Sequence, residues 1–204
     1  MSVLRNSKQK IARRYGVNLW AKAKCPVNKR KYKPGQHGPV LRSKQTEYGR
    51  QLAAKQLLKG YYNIGEKKFH AYYVEAMRRR GDTAEEIIGQ LESRLDAIVY
   101  RANFACSIFA ARQLVSHGHV RVNGKRVNIA SYQVRVGDIV SLIEKAQKVP
   151  SVMQAKNNKV ADTPDYMVVD EGKYTINYTR VPEFADVPYP VKMEPNLVVE
   201  FYSR

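Results

Sequence analysis

The chain has 204 residues, with 36 Lys and Arg against 18 Asp and Glu, for a formal net charge of +18. Hydrophobic residues make up 44%, which excludes a disordered polycation, and so large an excess of one sign calls for a polyanionic partner, nucleic acid or an anionic membrane surface. No run approaches the roughly 18 apolar residues of a membrane span, and the opening MSVLRNSKQK lacks the apolar stretch of a secretory signal.

Charge is concentrated at the start of the chain. Residues 1–50 hold 14 Lys and Arg against Glu47 alone, an excess of +13, whereas residues 146–204 carry −1. Lys, Arg, Gly and Pro dominate residues 1–45 and few apolar residues fall at helical spacing, so this segment is expected to be an extended basic arm that orders on RNA. The bland alternative is a solvated tail. Against it stand Tyr15, Trp20, Tyr32 and Tyr48, interleaved with Arg13, Arg14, Lys22, Lys24, Lys31 and Lys33. Cations answer phosphates, and flat rings stack on unpaired bases. An Arg-rich organelle presequence fits less well, because Pro34-Gly35-Gln36-His37-Gly38 looks structural.

From Thr46 the pattern turns helical, with Leu57, Leu58, Tyr61 and Tyr62 on an apolar face, and Ile64-Gly65 interrupts it. A second helix is expected from Glu66 through Met77, with Phe69, Tyr72, Tyr73 and Met77 spaced for burial. Arg78-Arg79-Arg80 before Gly81 reads as a basic helix end beside a capping glycine, or as an RNA contact. A third helix starts at Asp82 or Thr83, and Ile87, Ile88, Leu91, Leu95, Ile98 and Val99 continue an apolar stripe.

Residues 91–145 are the most specific stretch. A helix over Leu91–Arg101, a turn near Asn103–Cys106 and a helix over Ser107–His117 lead to Gly118. A strand His119–Asn123 follows, then the hairpin signal Asn123-Gly124, a return Lys125–Asn128, a turn at Val136-Gly137-Asp138 and a strand Ile139–Ile143. In this compact αα-β unit Arg94, Arg101, Arg112, His117, Arg121, Lys125 and Arg126 are expected to line one outer surface, presenting cations to a folded RNA. Beyond Pro150, Lys156–Lys159 reads as a polar loop. Tyr166–Val169 and Tyr174–Tyr178 read as strands about a turn at Asp170–Lys173. Asn196–Tyr202 reads as a helix begun by Pro195 or as a strand.

Other chemistry finds little support. Cys25 and Cys106 are too few for a disulfide framework and lack metal-ligand spacing, which points to a reducing, intracellular compartment. Cys106, beside an apolar helix, is expected to be a small buried hydrophobe. His117 and His119 are poorly spaced for a shared metal, and Asp96 reads as an internal salt-bridge or helix-contact residue rather than a catalytic acid.

The runs Glu92-Ser-Arg-Leu-Asp96, Ala111-Arg-Gln-Leu-Val-Ser-His117, Val122-Asn-Gly124 and Val136-Gly-Asp138 resemble the RNA-binding domain named after small-subunit ribosomal protein four. That domain also occurs in RNA-modifying enzymes and stress proteins. Pro34-Gly35-Gln36-His37-Gly38 with Tyr48-Gly49, and the ending Leu197-Val-Val-Glu-Phe-Tyr-Ser203, resemble the two termini of the ribosomal family itself. The resemblance implies an α+β protein with an arm over 1–45 and a helical domain over 46–92 joined by 190–204. An RNA-binding domain over 93–189 follows, with its core at 91–145 and a β-rich extension, and the last segment is a helix. It implies a non-catalytic, bacterial-type constituent of the small subunit, cytoplasmic and on the ribosome, without cofactor or membrane association. Such a protein binds the 5′ domain of small-subunit ribosomal RNA, nucleates assembly of the subunit body and contributes to translational accuracy. Neighbouring protein five and messenger RNA near the entry channel are the implied partners. The charge pattern and the resemblance together give as RNA-facing residues Arg13, Arg14, Lys22, Lys24, Lys31, Lys33, Gly35, Gln36, His37, Gly38, Tyr48, Gln51 and Lys55, then Arg94, Arg112, Gln113, His117, Asn123, Gly124 and Lys125. Some members hold a metal with four N-terminal cysteines; this arm has only Cys25, so no zinc is expected. Arg112→Ala is expected to weaken RNA binding without unfolding the domain.

Overall fold

A computed structural model describes residues 8–20, 22, 24–40, 44, 46–159 and 161–204. Those described residues form an α+β protein of two compact units. The first comprises the chain up to Ile87 together with Tyr189–Arg204, and the second comprises Ile88–Pro188.

In the first unit α1 (Lys8–Tyr15) precedes a single 3-10 turn at Pro26–Asn28. The longer α2 (Glu47–Tyr61), α3 (Glu66–Arg78) and C-terminal α9 (Pro195–Tyr202) follow, with α4 (Thr83–Glu92) beginning here. Thr46 starts α2 by accepting a hydrogen bond from the Gly49 amide at 3.1 Å. Pro195 opens α9, whose missing amide hydrogen is harmless at that position. Helices α2 and α9 pack together, and Phe69, Tyr72 and Tyr73 of α3 are buried as their spacing requires.

The described part of residues 1–45 is not an extended arm. Helix α1 is ordered, and Leu19, Trp20 and Cys25 are buried. The Trp20 indole N–H donates to the Tyr61 carbonyl at 3.3 Å. The segment packs against α2 at Gly60, where a Cβ would lie in ordinary contact, 3.4 Å from Leu19 and 3.6 Å from Ile11. Trp20, counted from sequence among base-stacking aromatics, thus belongs to the core. Residues 1–7, 21, 23, 41–43 and 45 of the arm lie outside the described residues. Trp20 is the only tryptophan of the chain, so the fluorescence of the RNA-free protein is expected to be blue-shifted from that of free indole. Emission at the wavelength of a solvated tryptophan would contradict the packed segment.

Two further expectations change. Met77 is 59% exposed on α3. The same helix stops at Arg78, and its end is followed by Arg79 in extended conformation rather than by a capping Gly81. Arg79 pairs instead with Glu86 at 3.1 Å.

Lys55 and Lys59 of α2 both donate to Glu66 at 2.7 Å, and the Tyr202 hydroxyl donates to it at 2.6 Å. Burial alone would raise the Glu66 pKa, but these three donors outweigh it and hold it at about 2. A depressed carboxyl pKa contributes stability above its ordinary value near 4.5 and loses it as pH falls toward about 2. Because the side chain is 44% exposed, solvent screening reduces the contribution, and Glu66→Gln is expected to cost about 1 kcal/mol at pH 7. In urea unfolding the gap between parent and variant should close by about pH 2; a gap independent of pH would refute the assignment.

In the second unit α4 ends at Glu92, and α5 (Leu95–Arg101) starts afresh after a break at Ser93–Arg94. The sequence expected one helix over Leu91–Arg101 here. The Ser93 hydroxyl donates back to the Gly89 carbonyl at 2.6 Å and its carbonyl accepts from the Val134 amide at 2.9 Å, while Arg94 bridges Gln133. The chain is thereby pulled out of the helix. Helix α6 (Ile108–Ser116) is capped by Ser107 and packs on α5. Cys106, just before that cap, is exposed rather than buried.

Strands β1 (Val120–Val122), β2 (Lys125–Val127), β3 (Ile139–Leu142), β4 (Met167–Asp170) and β5 (Thr175–Tyr178) form one antiparallel sheet ordered β2-β1-β3-β5-β4. Asn123 and Gly124 both adopt positive φ, 49° and 78°, as a two-residue hairpin turn requires. Val120, Val122, Val140, Leu142, Ile176 and Tyr178 are buried. Between β3 and β4 lie α7 (Glu144–Gln147) and α8 (Pro150–Asn157). The polar loop expected at Lys156–Lys159 is partly the end of α8, anchored by buried Val152 and Ala155.

Candidate nucleic-acid interface

Two buried ion clusters in the second unit decide which cations face solvent. Asp96, fully buried, accepts from Arg94 Nε and Nη2 at 2.9 and 2.7 Å. Arg112 Nε and Nη2 reach the same carboxylate at 3.0 and 2.7 Å. Glu92, also fully buried, accepts from Arg101 Nε and Nη2 at 2.9 and 2.7 Å and from the Tyr166 hydroxyl at 2.8 Å. Burial and the neighbouring Glu92 carboxylate push the Tyr166 pKa up. Burial likewise pushes Tyr178 up to about 12, opposed by its hydrogen bond with Ser93.

Arg94 and Arg101 therefore do not line an outer surface. A buried carboxylate must be paired to be tolerated, and these guanidiniums provide the pairing. Arg112 is half committed to the same task, its side chain 17% exposed. The Asp96 salt bridge expected from sequence is present, with Arg112 as an additional partner.

What remains outward is a strip along the end of α6 and the β1–β2 hairpin. Gln113 and His117 are exposed one helical turn apart. Arg126 donates to the His117 carbonyl at 3.1 Å and lies so close over Gly118 that a Cβ there would sit 2.1 Å from its Nε. Arg126 faces Arg121 across the hairpin, and Lys125 is the next pair along. Asn123 is exposed but engaged: its Nδ2 donates to Asp138 at 2.7 Å and its Oδ1 accepts from the Ile139 amide at 2.9 Å. That fastens the hairpin to β3. Arg121 and Arg126 belong to this strip, although the motif resemblance singled out only Lys125 beside them.

In the first unit Arg14, Lys22, Lys24, Lys31, Lys33, Gln36 and His37 are exposed. Arg13 is half-buried, donating to the Lys33 carbonyl at 3.2 Å and stacking on Tyr32 at 5.0 Å. Gly35, at φ +107°, accepts from the Gly38 amide at 3.2 Å. A Cβ on buried Gly38 would collide with the Lys33 carbonyl at 1.9 Å, so the second glycine of this loop is required by the loop's own packing. Tyr48 is exposed, with its ring 5.6 Å from that of Phe201.

Gln51 and Lys55 are not surface groups. Both are buried, Gln51 donating to Glu200 at 3.0 Å and Lys55 held by Glu66 and the Phe201 ring. Their helical phase faces α9, a contact that no local pattern announces. Sequence reasoning missed another set. Lys44, Arg50 and Lys192 join Arg14 and Lys33 around a cavity of about 820 Å³ that also has Tyr15, Ala53, Leu57 and Met193 in its lining. Burial raises the Tyr15 pKa, and the Arg14 charge opposes that rise. The C-terminal cation could be placed there only once α9 was known to pack on α2.

Residues 3–92 match the family model described as ribosomal protein S4/S9 N-terminal domain, and residues 93–140 match the S4 domain. The chain is 57% identical to small ribosomal subunit protein uS4 of Azorhizobium caulinodans, over 100% of both chains. It is similar to the proteins of that name from Bradyrhizobium diazoefficiens, at 56% identity, and Acidiphilium cryptum, at 59%, each over 97% of both chains.

Proposed function

Because this chain belongs to the family of small ribosomal subunit protein uS4, we propose that it binds the 5′ domain of small-subunit ribosomal RNA directly and nucleates assembly of the subunit body. It is a ribosomal RNA-binding protein rather than an enzyme. The observation that carries the reading is the sorting of charge: Glu92 and Asp96 are buried with their own arginines, while Arg121, Lys125 and Arg126 stand exposed beside His117 and Gln113. A surface of that kind holds folded RNA by phosphate contact and shape. The first unit contributes a second basic surface around residues 31–37. Contact with neighbouring protein five, a place near the messenger entry channel and a part in translational accuracy belong to the same reading.

The test is binding to the isolated 5′ domain, titrated across salt with transfer RNA as competitor. Phosphate contacts weaken with salt for any RNA, so the competitor discriminates. Tight binding that survives excess transfer RNA is expected. Binding abolished by it would make the chain a general RNA binder and defeat the proposal.

A further inference from the structure

The cavity of the first unit is a different kind of surface from the basic strips. Its volume, about 820 Å³, falls within the roughly 300–1,000 Å³ of small-ligand sites. Arg14, Lys44 and Arg50 make no ion pair among the described residues, and Lys192 lies 3.4 Å from Glu194, a single carboxylate against several cations. The first turns of α2 supply Thr46, Gly49 and Arg50 to one part of the lining, and Ala53, Ala54 and Leu57 continue along the same helix. Met193, buried, adds an apolar side chain, and half-buried Tyr15 adds a ring.

Each candidate ligand would use a different share of that lining. A bare phosphate uses the cations and leaves Ala53, Leu57, Met193 and the Tyr15 ring without a partner. A duplex offers its phosphates to the cations at the rim and likewise leaves that apolar lining unused. An unpaired nucleotide turned out of its strand uses both: its base lies against apolar and aromatic side chains, and its phosphate meets Arg50 and Lys44. We propose that this cavity receives a single extruded nucleotide of the ribosomal RNA. The inference rests on the ribosomal reading above and names the RNA feature that the first unit selects. Unlike the strips, it makes the unit responsive to a strand that is unpaired at one position, which is a source of specificity that phosphate contacts lack.

Probing of the 5′ domain bound to the full-length protein with dimethyl sulfate and a carbodiimide, which together read all four bases, tests this, with Ala53→Trp filling the cavity from the half-buried face of α2. The parent protein should protect one unpaired base that becomes reactive with Ala53→Trp, and affinity should fall about tenfold, the loss expected for one stacked base. Lys44→Ala/Arg50→Ala, which leaves the apolar lining intact, should expose the same nucleotide and guards against a folding defect in the tryptophan variant. If the parent binds selectively but both variants keep every protection and bind within about twofold, the inference alone falls, and the cavity is left to an acidic protein segment. If the parent itself fails to bind, the ribosomal reading falls with it.

Discussion

Asp96→Ala is expected to lower the melting temperature by about 10 °C. The substitution removes the carboxylate shared by Arg94 and Arg112, and the Arg94 side chain is only 3% exposed. Breaking a buried ion pair from one side leaves an uncompensated charge, at a cost of about 3–5 kcal/mol. For a chain of this size each kcal/mol is worth about 2–4 °C. Thermal melting followed by circular dichroism measures it, since Trp20 reports on the other unit. A shift under about 2 °C would mean that this cluster does not hold the fold. Arg112→Ala leaves the Arg94–Asp96 pair in place and should cost about 1–2 kcal/mol. The sequence expectation of a clean RNA-binding variant at Arg112 is therefore replaced by one in which stability and binding fall together.

Replacing Arg121, Lys125 and Arg126 together by alanine should weaken binding to the 5′ domain about a hundredfold at physiological salt while leaving the melting temperature nearly unchanged. Removing one cation from a phosphate lowers the slope of log affinity against log salt by about 1, so the triple variant should reduce it by about 3. At about 0.15 M salt that amounts to roughly fivefold per cation, which gives the hundredfold figure. The loss should be similar for competitor RNA, because these cations position the backbone and read no sequence. An unchanged slope with intact binding would move the interface away from the hairpin. The two variants separate the arginines that stabilise the second unit from those that face outward, a distinction that composition alone erases.

The elements themselves were largely legible in the chain. Local signals carried them: Thr46 and Ser107 as helix caps, Asn123-Gly124 as a hairpin turn and Pro195 at the start of the last helix. The failures have a common cause. Trp20, Gln51, Lys55, Arg94 and Arg101 were read by residue type or by resemblance as surface groups, and each is buried. A basic or aromatic residue carries no local mark saying whether a partner from a distant segment covers it. Lys55 is covered by α9 from the far end of the chain, and Arg101 by Glu92 and Tyr166 around it.

Met77 and Cys106 erred in the other direction, because apolar spacing states which face of an element is greasy but not whether anything packs there. Charge imbalance, motif order and turn chemistry by themselves determined that this is an α+β RNA-binding protein of the ribosomal family. They depend on residue identity and short-range spacing, which the chain records directly. Which cations reach solvent, which carboxylates are neutralised inside and where Lys44, Arg50 and Lys192 form a cavity was decided only by tertiary packing. Burial depends on neighbours drawn from the whole chain, and the desolvation of a charge depends on that burial.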